Sequence, residues 1–163
     1  MAEGRSSDAP VREHLVDLLE GGGAHATFGE AVADLPAGLR GERPAGLPYS
    51  PWELLEHMRL AQWDIVEFSR GPGHDSPPWP GGYWPADPRP PDGRAWQRSI
   101  RVFERDRRQM IEFVRDPGRD LREPLNWGDG QTLLREALLV ADHTAYHLGQ
   151  LIVVRRLLGA WEE

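Results

Sequence analysis

Three of the six histidines have the side-chain type and the spacing needed to bind a metal ion. His143 and His147 are four residues apart in an apolar segment, so on a helix their imidazoles project from one face and could hold one ion. His57 lies in a second apolar segment, residues 54–58. Unpaired imidazoles are costly to bury, and a divalent cation that accepts their lone pairs removes that cost. The three residues together therefore suggest a metal site.

A second interpretation of the same histidines stays open at this point. Each could be a separate core or boundary residue that is hydrogen bonded to a carbonyl or a carboxylate. A zinc peptidase is excluded, because no glutamate follows His143 to act as the general base. The chain has no cysteine, so a metal would have to be bound by nitrogen and oxygen donors.

The elements that must position these histidines are helices. Outside two regions rich in glycine and proline, apolar residues recur at three and four positions, which predicts an all-α protein. A short helix is expected from Thr27, where Glu30 completes a capping box. Capping residues and helix breakers predict four long helices. The first extends from an Asp8 cap to Gly21, with Leu15, Leu18 and Leu19 buried. The others extend from a Ser50 cap to about Arg70, from after Asp92 to Asp116, and from about Thr132 to Gly159.

Long connections before the second and third of these helices favour a four-helix bundle with crossover loops over a series of tight hairpins. The length is that of one domain, residues 1–163. The last helix is apolar over a wide arc, so we expect it to be central or to contact a second subunit, and a homodimer is predicted. Gly149 interrupts this helix, and the close approach of a neighbouring helix would explain it.

The second glycine- and proline-rich region, residues 71–93, contains Trp79 and Trp84. These indoles could form a lid over the metal site, or they could be buried and pin the loop to the helices; the second interpretation is favoured. Asp64 is expected to pair with an arginine rather than to orient a ligand. The remaining histidines are expected at the surface: His14, His25 and His74.

Charge and hydropathy limit the partners. With 26 acidic and 19 basic residues the formal charge is −7, which disfavours binding to nucleic acid. No run approaches the about 20 apolar residues of a membrane span, and the first residues lack a signal-peptide core, so a cytoplasmic protein without a membrane partner is expected.

Two segments resemble motifs of the DinB/YfiT-like superfamily. The segment ADHTAYHLGQL at 141–151, followed by RRLLGAW at 155–161, is similar to the last-helix signature of that family. The segment SPWELLEH at 50–57 is similar to its second helix. Both lie in the order that the family has.

This resemblance implies a four-helix bundle, commonly dimeric, that binds a divalent metal through His57, His143 and His147. Zinc and nickel are the expected metals. The family includes transferases and isomerases that use low-molecular-weight thiols, so we expect a small-molecule substrate and a hydrolase or thiol S-transferase reaction. The alternative is a non-catalytic, dimeric metal-binding or stress-associated module. The Trp-rich insert departs from the family pattern.

Overall fold

The computed structural model describes residues 8–162, and within that range it contains helices and no β-strand. We number the five α-helices in chain order: α1 Ala9–Glu20, α2 Phe28–Val32, α3 Pro51–Arg70, α4 Ala95–Arg115 and α5 Leu133–Leu157. Two single 3₁₀ turns, Ala37–Leu39 and Gly81–Tyr83, lie in the loops. The prediction of an all-α protein is confirmed.

The predicted capping boxes are present and fix the starts of two helices. Ser50 accepts a hydrogen bond from the Glu53 amide at 3.2 Å, and Glu53 Oε2 accepts one from the Ser50 amide at 2.8 Å. Thr27 and Glu30 make the same reciprocal pair at the start of α2. These bonds satisfy amide groups that have no partner within the helix. The start of α3 matters most for the site, because that helix carries His57.

The first helix departs from the prediction in two details. Asp8 precedes it, but its carboxylate makes no capping bond and pairs instead with Arg122. Leu18, expected in the core, is 53% exposed, whereas Leu15 and Leu19 are buried. The apolar stripe of α1 is thus narrower than the sequence pattern suggested.

Side-chain contacts define the directions of the helices around the site. Ser99 donates to Glu56, Gln62 donates to the Phe103 carbonyl at 2.6 Å, and Arg70 lies at 3.3 Å from Gln109, so α3 and α4 run in the same direction. α5 packs along α3, and the histidines near the middle of each helix face one another.

The buried side chains form two clusters at opposite ends of these helices. One surrounds the first half of α3 and the second half of α5, and its members include Phe28, Leu55, Trp96, Phe103 and Leu151. The other surrounds the far end, with Leu15, Val66, Met110, Leu133 and Val140. His57 lies beside the first cluster, because Met58 and Leu54 flank it in the sequence.

Helix α5 packs against all four other described helices. By length and composition it could also cross a membrane: its most apolar 18-residue window has a mean hydropathy of 1.2, with 39% of that window buried in the protein. Core helices meet the same criterion, so the criterion alone does not place α5 in a membrane.

Candidate metal centre

The three histidines singled out in the sequence meet at one point between α3 and α5. His57 Nε2 lies 3.1 Å from His147 Nε2 and 3.1 Å from His143 Nε2. One ring nitrogen from each lies within 4.8 Å of the other two. Among residues 8–162 this is the one cluster of three or more histidine or acidic side chains with metal-binding spacing. Helical geometry accounts for the pair on α5, and the packing of α3 on α5 supplies the third ring.

Hydrogen bonds on the outer side of two rings determine where their lone pairs point. His57 Nδ1 lies 2.9 Å from the Tyr83 carbonyl, and His147 Nδ1 lies 2.7 Å from Gln150 Oε1. Carbonyl oxygens only accept hydrogen bonds, so both Nδ1 atoms carry the proton. In the neutral rings the lone pair is then on Nε2, and both Nε2 atoms face the centre of the cluster.

Burial keeps these rings neutral. It is the main cause that lowers the pKa of His57, His143 and His147 below the ordinary value. For His143 burial and the two neighbouring imidazoles lower the pKa to about 4. At neutral pH none of the three therefore carries the extra proton that would relieve the contacts between ring nitrogens.

Hydrogen bonding within the cluster cannot satisfy all three nitrogens. His143 can donate an Nε2–H to His57, but the lone pair of His147 Nε2 still faces His57 Nε2 at 3.1 Å. A cation at the centre would turn this unfavourable contact into a favourable one. Two nitrogens bound tetrahedrally to one zinc at 2.0–2.1 Å lie about 3.3–3.4 Å apart, and the two 3.1 Å spacings are within about 0.3 Å of that value. The donor set thus fits a divalent metal.

The walls of the centre differ on its two sides. The Trp84 indole stacks on the His57 imidazole, with ring centroids 3.8 Å apart and planes within 3°, and the Tyr49 ring stacks on the other face of Trp84 at 4.8 Å. On the α5 side His143 is only half-buried, and Tyr146, edge-on to His147 at 4.9 Å, is 65% exposed. The centre is thus covered by loop 71–93 on one side and lies closer to the surface on the α5 side.

The loop 71–93 contributes more to the centre than the sequence indicated. The predicted burial of both indoles is wrong for Trp79, which is 77% exposed, while Trp84 is half-buried against His57. The Tyr83 carbonyl on His57 was not predicted at all. Main-chain acceptors in a loop have no side-chain signature, so no pattern in the sequence could reveal this bond.

Two further predictions about this region are corrected. Asp64 does not pair with an arginine: Oδ1 lies 2.7 Å from His74 Nε2, and Oδ2 accepts a hydrogen bond from the Tyr83 hydroxyl at 2.7 Å. His74 is not a surface residue, because its side chain is only 13% exposed. Burial and the adjacent Asp64 raise the pKa of Tyr83 to about 12, so the phenol stays protonated and donates. His14 and His25 are exposed, as predicted.

Comparison with known proteins gives one family. Neither the curated proteins nor the solved structures contain a match to the chain. The sequence model of the DinB superfamily matches residues 23–151, a span that includes all three clustered histidines and most of the described helices. The chain belongs to the DinB superfamily.

Proposed function

We propose that this protein is a metal-dependent enzyme in which His57, His143 and His147 bind one divalent cation, with zinc or nickel as the expected metals. The observation that carries the proposal is the convergence of three neutral imidazoles whose ring nitrogens cannot all be satisfied by hydrogen bonds among themselves. Imidazole donors suit these metals. Three protein ligands on an ion that takes four or more leave a position for water or substrate, which is typical of catalytic sites.

The proposed architecture is a DinB-type four-helix bundle that forms one domain, residues 1–163. Its long helices would be α1, α3, α4 and α5, and the loops 21–50 and 71–93 would be the crossover connections. Support comes from the shared direction of α3 and α4, because two consecutive helices that run the same way need a long return segment between them.

The chain's own residues prepare the site for chemistry. Tyr83 and Gln150 hold two imidazoles in the tautomer that presents Nε2 to the centre, and Trp84 excludes water from the far face of His57. When bound, a divalent cation would favour the deprotonated form of a water or a thiol at its open position. The half-buried edge near His143 is the side from which a substrate would enter.

We expect a small-molecule substrate and a hydrolase or thiol S-transferase reaction. The nucleophile at the metal would be either water or a low-molecular-weight thiol. The net charge of −7 argues against nucleic acid as the substrate. We expect the protein to act in the cytoplasm without a membrane partner.

We expect the protein to form a homodimer through α5. The exposed apolar side chains of this helix are spaced along its length: Leu138, Tyr146, Val153 and Leu157. Gly149 lies among them, and a Cβ atom there would meet nothing within 4 Å, so no helix of the same chain explains this glycine. A second copy of α5 packed over Gly149 would explain both features.

Sedimentation analysis tests the dimer. Val153→Glu places a charge in the proposed interface and should yield monomers. The matched control Leu18→Glu, at a leucine of α1 that is 53% exposed against 46% for Val153, should remain dimeric. A wild-type protein that sediments as a monomer at micromolar concentration would contradict this part of the proposal.

Activity assays on the zinc- and nickel-loaded protein test the function. Thiols of low molecular weight are offered with electrophiles, and esters and amides are offered with water. We expect turnover that chelation abolishes and that His147→Ala reduces at least about 100-fold. His25→Ala, which changes an exposed loop histidine, should leave the rate unchanged. Stoichiometric metal binding without turnover of any substrate would instead support the non-catalytic binding module.

A further inference from the structure

Tyr83 connects the metal centre to a second polar cluster. Its main-chain carbonyl accepts the hydrogen bond from His57 Nδ1 at 2.9 Å, and its hydroxyl donates to Asp64 Oδ2 at 2.7 Å. Asp64 lies seven residues after His57 on α3, about 10 Å further along the helix axis. One residue of the loop is thus held at both of its ends by the same helix.

The second oxygen of the same carboxylate holds the loop at another point. Asp64 Oδ1 lies 2.7 Å from His74 Nε2, and the His74 ring is edge-on to Trp63 at 5.1 Å. The side chains of Asp64 and His74 are 14% and 13% exposed. A shielded carboxylate whose two oxygens bind two separate loop positions is a strong anchor, since charged acceptors make the stronger hydrogen bonds.

We propose that Asp64, His74 and the Tyr83 hydroxyl are positioning residues of the metal centre, which hold the Tyr83 carbonyl where it fixes the tautomer and the ring plane of His57. The inference rests on the proposed metal site. The acceptor that orients a ligating histidine typically contributes a factor of about 10–100 to metal affinity. Here that acceptor is a main-chain atom in a loop, so its position depends on the side chains that anchor the loop.

Tyr83→Phe tests this assignment with the smallest change. It removes the hydroxyl and leaves the ring and the main-chain carbonyl in the chain. Tyr49→Phe is the matched control, because it removes a hydroxyl that has no hydrogen-bond partner among residues 8–162 and keeps the ring stacked on Trp84. Asp64→Ala removes both anchor points at once.

The first readout is the tautomer of His57, measured by long-range proton–nitrogen NMR of the imidazoles in chelator-treated protein. The wild type and Tyr49→Phe should show His57 protonated at Nδ1. Tyr83→Phe should show a mixture of the two tautomers. This measurement requires no metal, so it tests the anchor independently of the proposed function.

The second readout is a titration with Co²⁺, followed through its visible absorption. Relative to wild type, Tyr83→Phe and Asp64→Ala should weaken binding by about 10–100-fold and alter the absorption spectrum, while Tyr49→Phe should stay within about twofold. Because both changes act through one contact, the double variant should bind no more weakly than Asp64→Ala alone. Thermal unfolding of the metal-free variants checks that each is folded.

Unchanged affinity, spectrum and His57 tautomer in Tyr83→Phe would overturn the anchor and leave the metal site intact. Additive losses in the double variant would also overturn it, because they would show that the two residues act separately. A wild-type protein that binds no Co²⁺ would instead overturn the proposed function, and this result is distinguishable because it appears before any substitution is made.

Discussion

Replacing His143 with alanine should change the free energy of unfolding little in the metal-free protein and lower it clearly in the metal-bound protein. His143 is half-buried, so the substitution removes little packing. In chelator it also removes an imidazole whose nitrogen lies 3.1 Å from another ring nitrogen and whose pKa is lowered to about 4. The hydrogen bond that His143 can donate to His57 is lost as well, so we expect the metal-free variant to unfold within about 1 kcal/mol of the metal-free wild type.

With metal the wild type should be clearly more stable than His143→Ala. A ligand that binds only the folded state at 100 times its dissociation constant stabilises that state by about 2.7 kcal/mol. For a protein of this size, that corresponds to a rise in melting temperature of about 5–11 °C. The wild type should show this rise with Zn²⁺, whereas His143→Ala, left with two ligands, should gain less than about 2 °C under the same conditions.

Thermal unfolding of both proteins, with and without Zn²⁺, provides the measurement. His25→Ala is the control, because it removes an exposed histidine outside the cluster and should keep the full wild-type rise. An equal Zn²⁺-dependent rise in the wild type and in His143→Ala would refute the reasoning, since it would place the stabilising ion elsewhere. Loss of the Zn²⁺-dependent rise in melting temperature in His25→Ala would also refute it.

Three further outcomes follow from the structure. Chelator-treated protein should lose stability as the pH falls from 6.5 to about 4, because the unfolded chain binds a proton at His143 in this range and the folded chain does not; denaturant titrations should show a shallower dependence for His143→Ala. Arg155→Met should cost about 3 kcal/mol in urea unfolding, because Arg155 is 5% exposed and its guanidinium donates to three main-chain carbonyls that would lose their partner. Ser50→Ala should cost about 1–2 kcal/mol, since the Ser50 hydroxyl caps α3 and also donates to the Pro88 carbonyl; an unchanged denaturation midpoint in either variant would contradict its stated role.

The helices could be predicted well because their signals are local. Ser50, Glu53 and Pro51 determine the start of α3 through bonds within four residues, and the breakers at Gly21 and Asp116 end helices where the sequence indicated. Asp8 shows the limit of this reasoning. Its type suits a cap, but Arg122, distant in the sequence, binds its carboxylate instead.

The three histidines could be identified for a different reason. The spacing of His143 and His147 is set by the helix itself, and His57 was identified from its place in a second apolar helical segment, with which the family resemblance agrees. The periodicity alone left separate core histidines as an alternative. The 3.1 Å contacts between their nitrogens now bring all three to one point.

The surroundings of the site could not be predicted, because they depend on a loop without periodicity. Tyr83 contributes a main-chain atom, and Asp64 binds His74 and Tyr83 only because the loop 71–93 returns across α3. Residue type gave the wrong partner for Asp64, since arginine is the common choice and no histidine was expected nearby. Tertiary contacts of this kind have no short-range signature.

X-ray absorption spectroscopy at the zinc edge, on protein loaded with one equivalent of Zn²⁺, tests the central claim most directly. The account predicts three imidazole nitrogens at about 2.0–2.1 Å, with the remaining coordination supplied by a light atom from solvent. His57→Ala should reduce the number of imidazoles to two. A coordination shell of oxygen atoms alone, or one that keeps its imidazoles in the variant, would contradict a metal centre built from His57, His143 and His147.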